Sequence, residues 1–322
     1  LLISHILQDT IGCNYFVGDG SGFASRENTR FIMESCEYNR HFLAYHPTNV
    51  VLTNIELEHT ECYDGIEDII HTFQTFVSSA NGLIVMCGDD KNVRKIKTHT
   101  QTIYYGFDET NDLVAKNVKL TSLGSEFDVY QNGTFYGHFD LPLFGRHMIL
   151  NALAAIAICD YYGIGAKEIE NSVHTFHGAK RRFKEIVAGD VVIIDDYAHH
   201  PTELRVTLEA AHQKYPDKEL VAVFLPNTYS RTLALLDDFV EVLKKTDKAY
   251  IMDIHCDRER REDYQNVSSD MIIERVPDSE KISEDTVQKL LAHKNAVICF
   301  MSCADIYIIE RKFEDLLGVE HD

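Results

Sequence analysis

The sequence predicts an α/β chain of two doubly wound domains, the first carrying a small antiparallel β part. Three observations lead there. In two separate blocks, short apolar runs alternate with stretches of helical spacing, the pattern of βαβ units around a mostly parallel sheet. Between those blocks, residues 112–143 switch to the two-residue period of antiparallel strands, with Asn132-Gly133 at a turn. The length of 322 residues suits two domains of ordinary size.

In the first block, strands are predicted at residues 31–33, 50–55, 83–87 and 103–105. A helix is predicted over GIEDIIHTFQTFVSSA, where Ile66, Ile69, Ile70, Phe73 and Phe76 recur at helical spacing. Both central residues of a type I′ turn need positive φ, so Asn132-Gly133 marks a hairpin. An alanine-rich helix follows from about Met148 to Tyr162, stopped by Gly163 and Gly165. The second block begins near Arg181. Its strands are expected at 191–194, 221–225, 250–254 and 297–301, and its helices at 202–215, 231–245, 283–293 and 304–317. The domain boundary is placed near residue 178, giving domains 1–178 and 179–322.

Composition narrows the function. Hydrophobic residues make up 45% and charged residues 25% of the chain, the balance of a globular protein. No apolar run reaches the roughly 20 residues of a membrane helix, and no signal peptide is read at the start. The net charge of −20 argues against nucleic-acid binding, which rests on releasing phosphate counterions. A phosphorylated ligand must then be met by local devices: a metal ion, a helix N-terminus or single arginines. The eight cysteines show no CxxC spacing, which fits a reducing cytoplasm better than a disulfide framework.

In open parallel sheets, ligands bind beyond the carboxyl ends of the strands, and the unusual residues collect there. The first predicted strand runs into Glu34-Ser35-Cys36-Glu37, the second into Glu56-Leu57-Glu58-His59-Thr60-Glu61. Carboxylates and an imidazole at neighbouring strand ends suit Mg²⁺, which prefers oxygen and keeps several waters. Glu34 and His59 are the candidates. From spacing alone, an ordinary solvated acid at a strand exit and a hydrogen-bonded loop histidine are the simpler readings of the two. In DDYAHHPTE, Pro201 opens a helix whose N-terminus could hold an anion beside His199 and His200, or could simply be capped. Lys180-Arg181-Arg182 is a basic cluster at the proposed domain joint, where it could reach a phosphate or be a solvated charge run.

Taken in order, TNIELEHTECY, FGRHMILNALAAIAI, FHGAKRRF, IIDDYAHHPTE and PNTYSRT resemble successive motifs of the Mur ligases, over nearly the whole chain. DDYAHHPTE with KRRF, together with GDGSG and ESCEYNRHF, resembles the branch that adds L-alanine to UDP-N-acetylmuramate. The resemblance implies a central ATP-binding domain followed by a Rossmann-like C-terminal domain. It also implies a reaction using ATP and Mg²⁺. The lactyl carboxylate of UDP-N-acetylmuramate attacks the γ-phosphate, and the amine of L-alanine then attacks the acyl phosphate. Matching motif positions make Glu34 and His59 metal-side residues, Asn151 an adenine contact and His147 a weaker nucleotide contact. Arg182 matches an arginine on the nucleotide phosphates and Asp196 a ribose or phosphate-side partner. His199 and Arg231 match residues facing the muramoyl substrate or the incoming alanine. The acids, imidazoles and arginines are expected to line two facing walls.

Some positions depart from the family pattern. Cys36 stands for an aspartate, Glu58 stands before the motif histidine where DH is usual, Met148 stands for an asparagine, and Leu225 and Asn227 for a glutamine and a histidine. Ser302-Cys303-Ala304 replaces a glycine-rich turn. No GK[ST] occurs, and the opening residues resemble the helix that follows the family's phosphate loop. The expectation is that this polypeptide, as given, does not ligate. Two other readings stay open: a ligase that recycles murein tripeptide, and a non-catalytic Mur-like nucleotide-binding protein. A plain dinucleotide-binding oxidoreductase is disfavoured, because no GxGxxG follows a strand.

Overall fold

The computed structural model describes residues 1–320. The chain divides into two compact units, one ending at Ala179 and the other beginning at Lys180.

The elements of the first unit run α1 (Leu2–Thr10), β1 (Asn14–Phe16), β2 (Gly22–Phe23), β3 (Phe31–Met33), β4 (Val50–Leu52), α2 (Ile66–Ser78), β5 (Ile84–Cys87), β6 (Thr102–Gly106), β7 (Leu113–Thr121), β8 (Gly124–Gln131), β9 (Thr134–Leu141), α3 (Arg146–Tyr161) and α4 (Ala166–His174). The six strands β4 to β9 form one sheet in sequence order. It is parallel from β4 to β7 and antiparallel from β7 to β9. Side chains alternate across a strand, so β5 feeds two cores. Val85 and Cys87 pack in the cluster that contains Ile6, Leu153 and Ile156 of α1 and α3. Ile84 and Met86 pack in the cluster that contains Ile69, Ile70 and Phe76 of α2. A parallel strand covered on both faces must be apolar on both, as the run IVMC is. The Asn132-Gly133 turn joins β8 to β9 with φ of 48° and 80°, as its residue types require.

The second unit runs β10 (Lys184–Ala188), β11 (Val191–Asp196), α5 (Pro201–Lys214), β12 (Glu219–Phe224), α6 (Tyr229–Ala234), α7 (Leu236–Leu243), β13 (Lys248–Ile251), α8 (Asp270–Ile273), β14 (Ser279–Lys281), β15 (Ala296–Met301) and α9 (Tyr307–Leu317). Its strand order is β10-β11-β15-β12-β13-β14, parallel except for the antiparallel edge strand β10. Here too the central strands serve two cores. Val192 and Ile194 pack with Leu204, Leu208 and Phe239, while Val191 and Ile193 pack with Ile306, Ile309 and Phe313.

Several elements differ from the sequence reading. Residues 31–33 do form a strand, but β3 joins β1 and β2 in a separate three-stranded sheet, order β2-β1-β3. The second strand stops at Leu52, short of residue 55. The helix expected over 231–245 breaks at Leu235, whose φ of −114° is not helical, and becomes α6 and α7. The stretch expected at 283–293 is a 3₁₀ helix, Glu284–Ala292, opened by a Ser283–Thr286 capping box.

Candidate active site

In the first unit the strand-end acids converge on His59, and Glu37 leads them. After β3 the chain enters a 3₁₀ turn, Tyr38–Ala44, in which Asn39 and Arg40 hold φ of 49° and 59°. Left-handed backbone at two successive non-glycine residues reverses the chain tightly and is sustained only by its surroundings. Two ties supply this. Arg40 donates to both Asp68 carboxylate oxygens at 3.1 and 2.8 Å, and Tyr63 donates its hydroxyl proton to the Glu37 carbonyl at 2.5 Å. The fold-back carries the Glu37 carboxylate to 3.2 Å from His59 Nε2, and the Tyr38 ring packs edge-on against the imidazole at 5.1 Å. Burial alone would push the Glu37 carboxyl up. The hydrogen bond from His59 outweighs it and holds the group below its ordinary value.

The other ring nitrogen, His59 Nδ1, is buried without a hydrogen-bond partner, and carboxylate oxygens of Glu61 and Glu58 lie 3.9 and 4.0 Å from it. The expected pairing of Glu34 with His59 is not made. The Glu34 carboxylate instead accepts from the Gly18 backbone N–H at 2.8 Å and lies against that glycine, where a Cβ would come within 3.2 Å of its oxygen. The reason is geometric. Glu34 is still in line with β3, and only beyond Cys36 does the chain turn toward His59.

At the start of α3, the N-cap is Gly145, whose φ of 88° favours a residue without Cβ. His147 lies in the first turn and is half-buried. Asn151 faces solvent, with its amide 3.6 Å from Met148 Sδ.

In the second unit the candidates cluster where β11 ends. Asp196 is buried and accepts backbone N–H bonds from Phe183 and Ala198, each at 2.9 Å. Burial raises its carboxyl above the usual range, against the pull of Arg182. The carboxylate therefore clamps the Lys180–Phe183 segment, where Arg181 and Phe183 hold φ of 52° and 56°, to the loop that carries His199. Arg182 is left half-exposed, 4.0 Å from Asp196 and 3.5 Å from Glu203, and both Arg181 and Arg182 lie over the Tyr197 ring.

His199 sits with Nδ1 3.1 Å from Glu203 and bonds to Cys303 as well. Burial would push the imidazole down. Its bonds to Cys303 and Glu203 prevail and raise it to about 10, so it is a cation at neutral pH. Glu203 is correspondingly held well below the carboxylate range: burial opposes this, and the His199 bond overrides it. Of the two readings of the α5 N-terminus, the structure shows the capped one. His200 is the N-cap, and Glu203 accepts from the backbone N–H groups of both His199 and His200, at 2.9 and 3.2 Å.

Arg231, expected to face substrate, is buried and turned inward. One turn into α6, its guanidinium donates to the Asn227 carbonyl at 3.1 Å and approaches the Asn227 side-chain oxygen at 3.4 Å. The cause is local. Thr228 holds φ of 65°, so the chain doubles back and places Asn227 beneath the side chain that follows it.

Glu37 and Glu203 are acids at these candidate sites that the sequence reading did not single out. The first appeared only within the run ending β3, and the second only within DDYAHHPTE. For Glu203 a signal existed, since an acid three residues past an N-cap is the capping-box spacing. For Glu37 none did, because its position depends on a tertiary reversal.

One unit gathers acids around a half-buried imidazole, and the other sets arginines beside a charged histidine–glutamate pair, in two α/β units of the kind that bind ligands beyond the carboxyl ends of their strands. Known proteins agree. Residues 7–159 match the Mur ligase middle domain, and residues 181–303 match the "Mur ligase, glutamate ligase domain". A UDP-N-acetylmuramate–L-alanine ligase of Streptococcus equi subsp. zooepidemicus is 42% identical over 318 residues, spanning 98% of this chain and 72% of that protein. Among solved structures, the UDP-N-acetylmuramate–alanine ligase of Thermotoga maritima has a TM-score of 0.79 at 20% identity, covering 99% of this chain and 72% of its own. A murein peptide ligase of Psychrobacter arcticus has a TM-score of 0.70 at 20% identity, covering 100% and 75%. The Thermotoga maritima MurF ligase in complex with ADP has a TM-score of 0.76 at 17% identity, covering 98% and 77%. The chain belongs to the Mur ligase family.

Proposed function

We propose that this chain supplies the ATP-binding and C-terminal domains of an enzyme that joins L-alanine to UDP-N-acetylmuramate in peptidoglycan synthesis. The reaction is ATP-dependent and passes through an acyl phosphate. The observation that carries the reading is 42% identity across 98% of the chain to a ligase of that name. The murein tripeptide reading rests on a fold likeness at 20% identity, which does not choose an amino donor.

A divalent cation suits the His59 site on chemical grounds. A buried imidazole nitrogen without a partner, ringed by Glu37, Glu58 and Glu61, is an electron-rich pocket in need of positive charge. Glu37 and His59 would hold Mg²⁺, with Glu34 at the neighbouring strand end. When bound, Mg²⁺-ATP supplies the phosphoryl group and the charge neutralisation that acyl-phosphate formation needs. The chain's own residues do the rest. Asn151, with His147 behind it, meets the adenine. Arg182, held over Tyr197 and near Asp196, meets the nucleotide phosphates. Asp196 keeps the arginine segment and the His199 loop in register. His199, a lasting cation, orients a carboxylate or phosphate oxygen and does not act as a base. Arg231 shapes the loop around Asn227 at the end of β12.

The proposed place of work is the cytoplasm, supported by eight cysteines that are all free. No helix among the described residues is long and apolar enough to cross a membrane. A net charge of −20 supports small-molecule partners over nucleic acid. The test is ADP release by the full-length gene product with UDP-N-acetylmuramate, Mg²⁺-ATP and one amino donor at a time. Release with L-alanine supports the reading. Release with murein tripeptide but not L-alanine assigns the sibling activity, and no release with either leaves a nucleotide-binding protein without ligation.

A further inference from the structure

The solvent face of the β8–β9 hairpin carries a second metal-ligand constellation, which shares no residue with the set around His59. Strand alternation puts Phe127, Val129, Phe139 and Leu141 into the core. The intervening residues Glu126, Asp128, His138 and Asp140 therefore share the opposite face. The antiparallel register makes Glu126↔Asp140 and Asp128↔His138 directly opposed pairs, and opposed side chains stand close enough to act together.

One ligand atom each from Glu126, His138 and Asp140 lie within 4.8 Å of one another, the only such trio of potential ligand residues among the described residues. The two nitrogens of His138 have separate tasks. Nδ1 sits 2.7 Å from the Asp128 carboxylate, and Nε2 points to Asp140 at 3.4 Å. A carboxylate on the far nitrogen fixes the ring orientation and raises the basicity of the near one, as in carboxylate–histidine–metal arrangements. Asp128 is itself held by Asn117, whose side-chain amide donates to it at 2.7 Å from a bulge in β7 where Asn117 holds φ of 52°. The orienting acid is thus braced independently of the trio. Lys119, 3.3 Å from Glu126, is a competing cation, and both partners of that pair are well exposed. Such a surface pair is worth little, so a metal ion would displace it.

We propose that Glu126, His138 and Asp140 form a surface site for a divalent transition-metal cation, with Asp128 as the residue that positions His138. One imidazole nitrogen and two carboxylate oxygens suit a borderline cation such as Zn²⁺ or Co²⁺ better than Mg²⁺, which prefers oxygen and keeps several waters.

Co²⁺ is the probe of choice, because ligation by any of the eight free thiols would give an intense near-ultraviolet charge-transfer band that a nitrogen–oxygen site lacks. The full chain is titrated with Co²⁺ by equilibrium dialysis and absorbance, in the presence of excess Mg²⁺ to occupy the His59 site and any oxygen-only sites. The proposal expects one Co²⁺ per chain without thiolate absorbance. That equivalent should disappear in His138→Ala, persist in Lys119→Ala, and bind about 10–100-fold more weakly in Asp128→Asn. The three substituted residues lie on the solvent face of strands β7 to β9, and circular dichroism checks that each variant folds. If the wild type binds no Co²⁺, if His138→Ala retains the equivalent, or if excess Mg²⁺ displaces it, the site is refuted.

Discussion

Replacing Glu310 with glutamine should remove a pH dependence built into the second unit. Glu310 and Glu314 lie one turn apart on α9, both buried, and face the buried Asp195 at the end of β11. The charged groups around Glu310 are those two acids and Lys184, and Arg181 approaches Asp195 at 3.8 Å. Burial first, then Asp195 and Glu314, raises the Glu310 carboxyl to about 8. In the unfolded chain it would titrate near its usual value of about 4.3. Between those values the folded state holds more protons than the unfolded one, so stability falls as pH rises through the window and is level below it. One group contributes a slope of at most about 1.4 kcal/mol per pH unit. From pH 5.5 to 7.5 that is about 2–3 kcal/mol, spread somewhat because burial raises the neighbouring Asp195 carboxyl as well.

The glutamine variant keeps the side-chain shape, can still donate to Glu314, and has no proton to lose. The assay is hydrogen exchange by mass spectrometry on the α9 segment across that pH range, corrected for intrinsic exchange, which reads the local opening free energy. The opening free energy in the wild type should fall with a slope steeper than that of Glu310→Gln by about 1 kcal/mol per pH unit. Equal slopes would show that Glu310 is ionised in the folded state and that the buried-acid argument is wrong.

Three further outcomes follow, two from the site and one from the β8–β9 turn. Glu203→Gln should return the His199 imidazole from about 10 toward its ordinary value, read from ring-nitrogen chemical shifts against pH; an unmoved midpoint would mean that Glu203 does not hold the charge. Glu37→Gln should raise the Mg²⁺ concentration needed for half-maximal ATP turnover by about 10–100-fold, whereas the same change confined to Glu34→Gln would return the metal to the residue the sequence suggested. Gly133→Ala, at φ of 80°, should destabilise the β8–β9 hairpin by about 1–2 kcal/mol in urea unfolding, since an added Cβ meets no atom and only the backbone conformation is at issue.

What was legible in the chain follows from how local each feature is. The helix α3 and the Asn132-Gly133 turn are written in consecutive residues, and the strands that feed two cores are written as continuous apolar runs. The sheet containing β3 was not legible, because three-residue strands show no period and their pairing partners are chosen at a distance. Neither was the break at Leu235, where the pattern of apolar residues continues through a non-helical φ. The site divides the same way. His59 and His199 stood out as imidazoles at strand ends. The acid beside His59 could not be read as Glu37, because its approach depends on Arg40 being tied to Asp68. The inward turn of Arg231 depends on the left-handed Thr228, which nothing in PNTYSRT announces.

The most direct test of the account labels one oxygen atom. The lactyl carboxylate of UDP-N-acetylmuramate is enriched in oxygen-18, and the full-length gene product is given Mg²⁺-ATP and L-alanine. The account predicts oxygen-18 in the released inorganic phosphate, in step with amide formation, because the carboxylate oxygen that attacks the γ-phosphate leaves with it. Amide formation with unlabelled phosphate, or phosphate release without amide, would contradict it.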